Sequence, residues 1–324
     1  MSQINLDQPS YECMKQAVEW FVVLNDQEVS EQDRTDWQRW LQEPQHAEAW
    51  QLVESVNQRF SMAGYDAGRK SVGHSLKAAR QDRISRRRVL QAGGVLGLFG
   101  WLSLQYTPMG TMAIRASADY ASQTGEINPI TLQEGSQLWL NTASAINVQY
   151  SAQQRLIELV SGEILIQTEV DALKREFLVA TAQGTLRALG TQFTVREQDD
   201  KTFVAVYEGA VEILTQQGQL QVVQAGQQTS FSVDTILPLV AADPARQAWS
   251  DGLIVANDIS LRELVAELER YRQGYLAVDP AVADLRVIGT FPIDKPDHAL
   301  SMLEDSLPVK VQAPVPWWVS IGKK

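Results

Sequence analysis

Cysteine and histidine are nearly absent from this sequence: Cys13 stands alone, and the histidines are His46, His74 and His298. A single thiol makes no disulfide framework, so any exported part must hold together through its own hydrophobic core. His298 is the sole histidine after residue 88, which excludes a His-rich metal centre or a Ser-His-Asp constellation in that part. No catalytic residue, metal ligand or cofactor is expected, and the chain does not read as an enzyme. Basic residues are also short. Lys and Arg number 28 against 39 Asp and Glu, a net charge of -11, which argues against direct nucleic-acid binding because phosphate contacts need clustered cations.

Charge of either sign is missing from Val89 to Tyr106, a run that follows directly on Arg86, Arg87 and Arg88. As a helix it would be about 27 Å long, enough for a thin bilayer. A buried helix of a soluble domain would also be apolar all round. Against that reading, the uncharged run continues to Ile114, and Lys77, Arg80, Arg83 and the arginine triplet crowd its entrance. The asymmetry predicts a transmembrane helix over 89–106 with the N-terminal side cytoplasmic. Arg86 and Arg87, in Ser85-Arg86-Arg87-Arg88-Val89-Leu90, resemble a twin-arginine export signal. Gly93 and Gly97 have the spacing of a helix-dimer face, although glycine is common in spans in any case.

Before the run, residues 1–64 read as a small all-α bundle and 65–88 as a basic linker. Ala17, Trp20, Phe21 and Leu24 recur at helical spacing in Tyr11 to Asn25. Ser30 with Asp33 forms a capping pair; Trp37, Trp40 and Leu41 then give an i, i+3, i+4 face that ends at Pro44. A third helix runs from Gln45 to about Phe60, with Ala49, Trp50 and Val53 on one side. So short a bundle is marginal as a container for Trp20, Trp37, Trp40 and Trp50. Trp20 and Trp37 read as core, whereas Trp40 and Trp50 suit an interface anchor. Acids such as Glu12, Glu19, Asp26, Glu31 and Asp36 outnumber bases there, which suits a basic partner; a solvated acidic face is the simpler explanation of the charge alone.

After the run, residues 112–235 change to short strands of period two separated by glycine turns, for example Gln137 to Leu140, Ala145 to Tyr150, Phe193 to Arg196 and Val211 to Thr215. Such spacing predicts an all-β sandwich or roll. Residues 249–324 alternate strands and helices. Ser260 with Glu263 caps a helix carrying Leu261, Leu264, Val265 and Leu268, and a second helix starts at Pro296. Two tandem βαβ units are expected, with alternation burying one of Trp317 and Trp318 and leaving the other half exposed.

The middle block carries a resemblance. Thr131-Leu132-Gln133-Glu134-Gly135-Ser136, Leu140-Asn141, Ser144, Arg155, Gly162-Glu163, Leu189-Gly190-Thr191-x-Phe193-x-Val195, Glu208-Gly209-x-Val211 and Ala225-Gly226-Gln227 resemble the FecR family. Glu134 departs from the Asp usual there. Members are bacterial inner-membrane, single-pass regulators of extracytoplasmic-function sigma factors, with a cytoplasmic N-terminus and a periplasmic C-terminus. The last domain resembles the secretin and TonB short N-terminal domain. The resemblance implies an anti-sigma factor whose helices hold the sigma factor, here through Trp37, Trp40, Leu41 and Trp50. It also implies a periplasmic contact with the signalling domain of a TonB-dependent receptor in ferric siderophore uptake, and release through site proteases. In some members the bond matching Gly190-Thr191 breaks by itself, by an N-to-O acyl shift; a plain tight turn is the simpler role of that glycine. A structural or secretion-apparatus component is the alternative function, which the Trp-rich module disfavours. The expected fold class is multidomain: a small all-α bundle, a single transmembrane helix, an all-β periplasmic domain and a small α+β domain.

Overall fold

The computed structural model describes residues 9–26, 29–62, 118–198 and 200–324. The chain divides into two units. One holds residues 68–250, and the other holds 1–67 together with 251–324.

Fourteen strands fill the first unit: β1 (Tyr120–Ala121), β2 (Asn128–Thr131), β3 (Gln137–Leu140), β4 (Ala145–Tyr150), β5 (Gln154–Ser161), β6 (Glu163–Gln167), β7 (Glu176–Thr181), β8 (Gly184–Ala188), β9 (Gln192–Gln198), β10 (Lys201–Glu208), β11 (Ala210–Thr215), β12 (Leu220–Gln224), β13 (Gln227–Phe231) and β14 (Val240–Ala241). They form two seven-stranded sheets, ordered β1-β4-β5-β7-β8-β11-β12 and β14-β13-β10-β9-β6-β3-β2. Pairing is antiparallel except between β5 and β7. One cluster fills the space between the sheets, with Ile146, Ile157, Phe177 and Leu186 from the first and Leu138, Ile164, Phe193 and Val204 from the second. Period-two alternation produces this directly, since one face of each strand supplies the core. Along β5, for instance, Arg155, Ile157 and Leu159 are buried in turn. The outer face of the second sheet is also partly covered. In the 3₁₀ segment Pro244–Asp251, Trp249 is buried and the Arg246 guanidinium lies 4.7 Å from the Phe203 ring centre.

A buried arginine of this unit is paired with a carboxylate. Arg155, only 7% exposed in its side chain, meets Glu134 at 3.3 Å and donates to the carbonyls of Glu169 and Arg175. Burial pushes the Glu134 carboxyl up, but hydrogen bonds from Ser136, its own backbone, Tyr150 and Arg155 outweigh this and hold it below its usual value. Glu134, the departure from the family pattern, is thus the anion of a buried pair.

The second unit contains α1 (Tyr11–Leu24), α2 (Glu31–Trp40) and α3 (Pro44–Met62), then β15 (Leu253–Ser260), α4 (Leu261–Glu269), β16 (Tyr275–Val278), β17 (Arg286–Pro292), α5 (Pro296–Ser306), β18 (Val309–Val315) and β19 (Trp318–Lys323). Capping boxes start α2 at Ser30 and Asp33 and α4 at Ser260 and Glu263. Leu264, Leu268, Leu300 and Leu303 pack with Leu276, Val319 and Ile321 as one core. Tyr275, Ala277 and Trp318 join a second cluster with Met14, Ala17 and Val18 of α1.

Three expectations are corrected. First, the single transmembrane helix has no counterpart among the described residues, where no helix is long and apolar enough to cross a membrane; Val89–Tyr106 lies outside them. At 14 residues, α1 spans only about 21 Å, and the longer α3 carries Glu48 and Glu54. The helices and the terminal domain, expected on opposite sides of a bilayer, form one packed unit. Second, the terminal domain is not a tandem of βαβ units. β15 pairs antiparallel with β17, while β16 runs parallel to β19 and β19 antiparallel to β18. A βαβ unit needs both of its strands parallel in one sheet, and β15, on which this arrangement turns, is masked in sequence by Asn257-Asp258. These two residues form a bulge within the strand, with Asp258 at φ 56°. Third, Trp317 and Trp318 are both buried, at 3% and 2% exposure. Trp318 stacks on Tyr275 at 4.9 Å, and Trp317 meets the Phe21 edge at 5.3 Å.

Candidate functional site

The four aromatic and aliphatic residues expected to meet a sigma factor are gathered where α2 turns into α3. Trp37 and Trp50 meet edge to face at 5.1 Å, and Phe21 of α1 lies 6.3 Å from Trp50. Trp40 stacks on His46 at 4.5 Å and donates its indole N–H to Gln16 Oε1 at 2.8 Å. Leu41 caps α2, its N–H reaching the Trp37 carbonyl at 2.9 Å. All four are half-buried. The Trp37 indole N–H is buried without a partner. Such a group costs about 1–3 kcal/mol and is the kind of donor that a bound partner can satisfy.

Val22 and Val23, 40% and 37% exposed, belong to the same surface question. Their signal was present in the sequence. Trp20 to Leu24 is a continuous apolar run, and five consecutive residues wrap a helix further than one buried face can absorb. With Glu12, Glu19 and Asp26 they line the outward side of the α1 segment.

The second expected site lies in the other unit. Leu189, Gly190 and Thr191 carry the chain from β8 in one sheet to β9 in the other. Gly190 has φ +78°, and nothing lies within 4 Å of where its Cβ would be, so backbone conformation alone selects glycine there. Gly209, between β10 and β11, makes the neighbouring crossover. A Cβ on it would sit 2.0 Å from the Gly190 carbonyl oxygen, so the two crossovers touch only because Gly209 has no side chain. Thr191 is 4% exposed, and its hydroxyl is buried without a hydrogen-bond partner. Sequence reasoning missed Gly209's contact and Thr168, which holds the Thr191 backbone; neither is near Gly190 in the chain. Arg86 and Arg87, the expected twin-arginine pair, lie outside the described residues. Among the described residues no group of three or more His, Cys, Asp or Glu is placed to hold a metal ion.

Residues 118–212 match the family model described as FecR protein. The match covers the strands from β1 through the first half of β11 and includes both crossovers. A second model, a domain of unknown function (DUF4880), matches residues 15–56, where the FecR domain is preceded by α1 to α3. No curated protein matches the chain. Two crystal structures, at 1.65 and 2.50 Å, of a Parabacteroides distasonis ATCC 8503 protein provisionally described as an anti-sigma factor are similar in fold. Each has a TM-score of 0.52 and 22% identity, over 63% of this chain and 98% of that one. At that identity the likeness speaks for fold.

Proposed function

We propose that this chain regulates an extracytoplasmic-function sigma factor, which its N-terminal helices hold through the surface around Trp37, Trp40, Leu41 and Trp50. The observation that carries this reading is the joining, in one chain, of a FecR domain to an acidic, tryptophan-lined helical module. Half-buried indoles over an acidic surface suit a basic partner, because aromatic anchors supply affinity and charge steers the encounter. The FecR and terminal domains then receive a signal from the signalling domain of a TonB-dependent receptor for ferric siderophores, and regulated proteolysis frees the helical module with its sigma factor. Affinity capture on the tagged full-length chain tests this. A sigma factor should be recovered, and Trp40→Ala or Trp50→Ala should weaken its binding by about 2 kcal/mol. Capture of no sigma factor from cells that express several would end the proposal.

We also infer that Gly190-Thr191 is a self-processing bond, on the buried and unpartnered Thr191 hydroxyl beside a glycine at positive φ. Wild type should give two fragments on an immunoblot and Thr191→Ala one full-length band; a single band from wild type would refute it.

A further inference from the structure

We propose that Thr168 is a positioning residue for an acyl shift at Gly190-Thr191, an inference that rests on the reading of that bond as self-processing. Thr168 directly follows β6, and its N–H donates to the Thr191 carbonyl at 3.0 Å. Its hydroxyl accepts the Thr191 N–H at 2.8 Å and donates to the Thr191 carbonyl oxygen at 3.2 Å. One residue therefore satisfies both backbone polar groups of Thr191. The Thr191 hydroxyl is the polar group left without a partner.

The other side of the scissile peptide is held as well. Gly209, at φ +72°, brings its backbone against the Gly190 carbonyl. The peptide is thus fixed at its nitrogen by Thr168 and crowded at its oxygen by the neighbouring crossover. Reaction then needs little reorganisation, which is how a fixed geometry lowers a barrier.

In the step itself the Thr191 hydroxyl oxygen bonds to the Gly190 carbonyl carbon and the carbon–nitrogen bond breaks. The hydroxyl proton ends on the Thr191 nitrogen, now an amine, and Gly190 is carried as an ester on Thr191. Water hydrolyses the ester, leaving a Gly190 carboxylate and restoring the Thr191 hydroxyl. Thr168 forms no covalent bond in this sequence. It keeps Thr191 from turning away and holds the nitrogen that leaves.

The full chain, tagged at both ends and made in a purified translation system without proteases, gives the test through the rate at which fragments appear. Thr168→Val keeps the shape and removes the hydroxyl, and should slow cleavage about 10²-fold. Thr168→Ser keeps the hydroxyl and removes the methyl, and should cleave near the wild-type rate. A packing role predicts the reverse order, so serine no faster than valine overturns the proposal, as does valine cleaving at the wild-type rate. If the valine variant fails to fold, the serine variant decides alone: wild-type cleavage supports the role and slow cleavage overturns it. An uncleaved wild type removes the self-processing reading and this inference with it. A wild type that cleaves, blocked by Thr191→Ala and indifferent to Thr168→Val, overturns only the role of Thr168.

Discussion

Between its two sheets the β unit encloses Leu138, Leu140, Ile146, Ile164, Phe193 and Phe231 with no exposed surface, whereas among the described residues the N-terminal helices bury only Cys13, Met14, Ala17, Val18, Ala49 and Val53 and leave every tryptophan half-buried. Sheet pairing explains the difference. Each β strand contributes one face to an interior that strands distant in sequence complete, while three short helices offer too little surface to cover indoles. The β unit therefore has the character of a scaffold, and the helices keep apolar surface available to a partner. Unpartnered polar groups do not follow this contrast: Trp37 keeps an unpartnered donor in the helices, and Thr191 keeps an unpartnered hydroxyl inside the β unit.

The largest effect on this contrast should come from Phe193→Ala, which empties the centre of the sandwich. It should cost about 3–5 kcal/mol in denaturant unfolding of the full chain. A cost below about 1 kcal/mol would show that the β interior is as forgiving as the helical one. Ser30→Ala removes the hydroxyl that accepts the Asp33 N–H at 3.1 Å. It should lower helical stability by about 1 kcal/mol, read as loss of far-ultraviolet helical signal at lower denaturant. The smallest change is expected from Glu269→Gln. Burial pushes the Glu269 carboxyl up, partly offset by the Leu276 N–H at 3.2 Å and by Arg272. A carboxyl raised in the folded state favours folding below its unfolded value and loses that contribution as pH rises through the raised one. Glutamine keeps the acceptor without the charge. The variant should melt slightly higher than wild type at pH 7, with the gain vanishing on acidification; a gain that persists at low pH would place its cause outside this carboxyl.

Much of the fold is legible locally. Ser30 with Asp33 and Ser260 with Glu263 announce helix starts because a capping box closes within four residues. Strands β3 and β4 are legible to the residue, since Leu138 and Leu140, then Ile146, Val148 and Tyr150, recur at every second position. β15 is not, because Asn257-Asp258 has turn chemistry and only pairing with β17 makes it a bulge. The burial of both Trp317 and Trp318 is equally illegible. Trp317 precedes β19 and Trp318 opens it, and both join Met14, Ala17 and Val18 of α1 in one cluster that no local pattern announces.

Gly190-Thr191 divides along the same line. A glycine followed by threonine between two strand patterns marks a tight crossover, and that much is written in composition and spacing. The pairing of Thr191 with Thr168, which continues the β6–β9 ladder, and the approach of Gly209 to the Gly190 carbonyl arise only when strands distant in the chain pair side by side. Sequence alone determined the capped helix starts, the acidic helical module and the absence of a disulfide frame, because each depends on neighbouring residues or on composition. Tertiary structure decided which hydroxyl is left without a partner and which indoles are covered, because both depend on contacts between residues far apart in the chain.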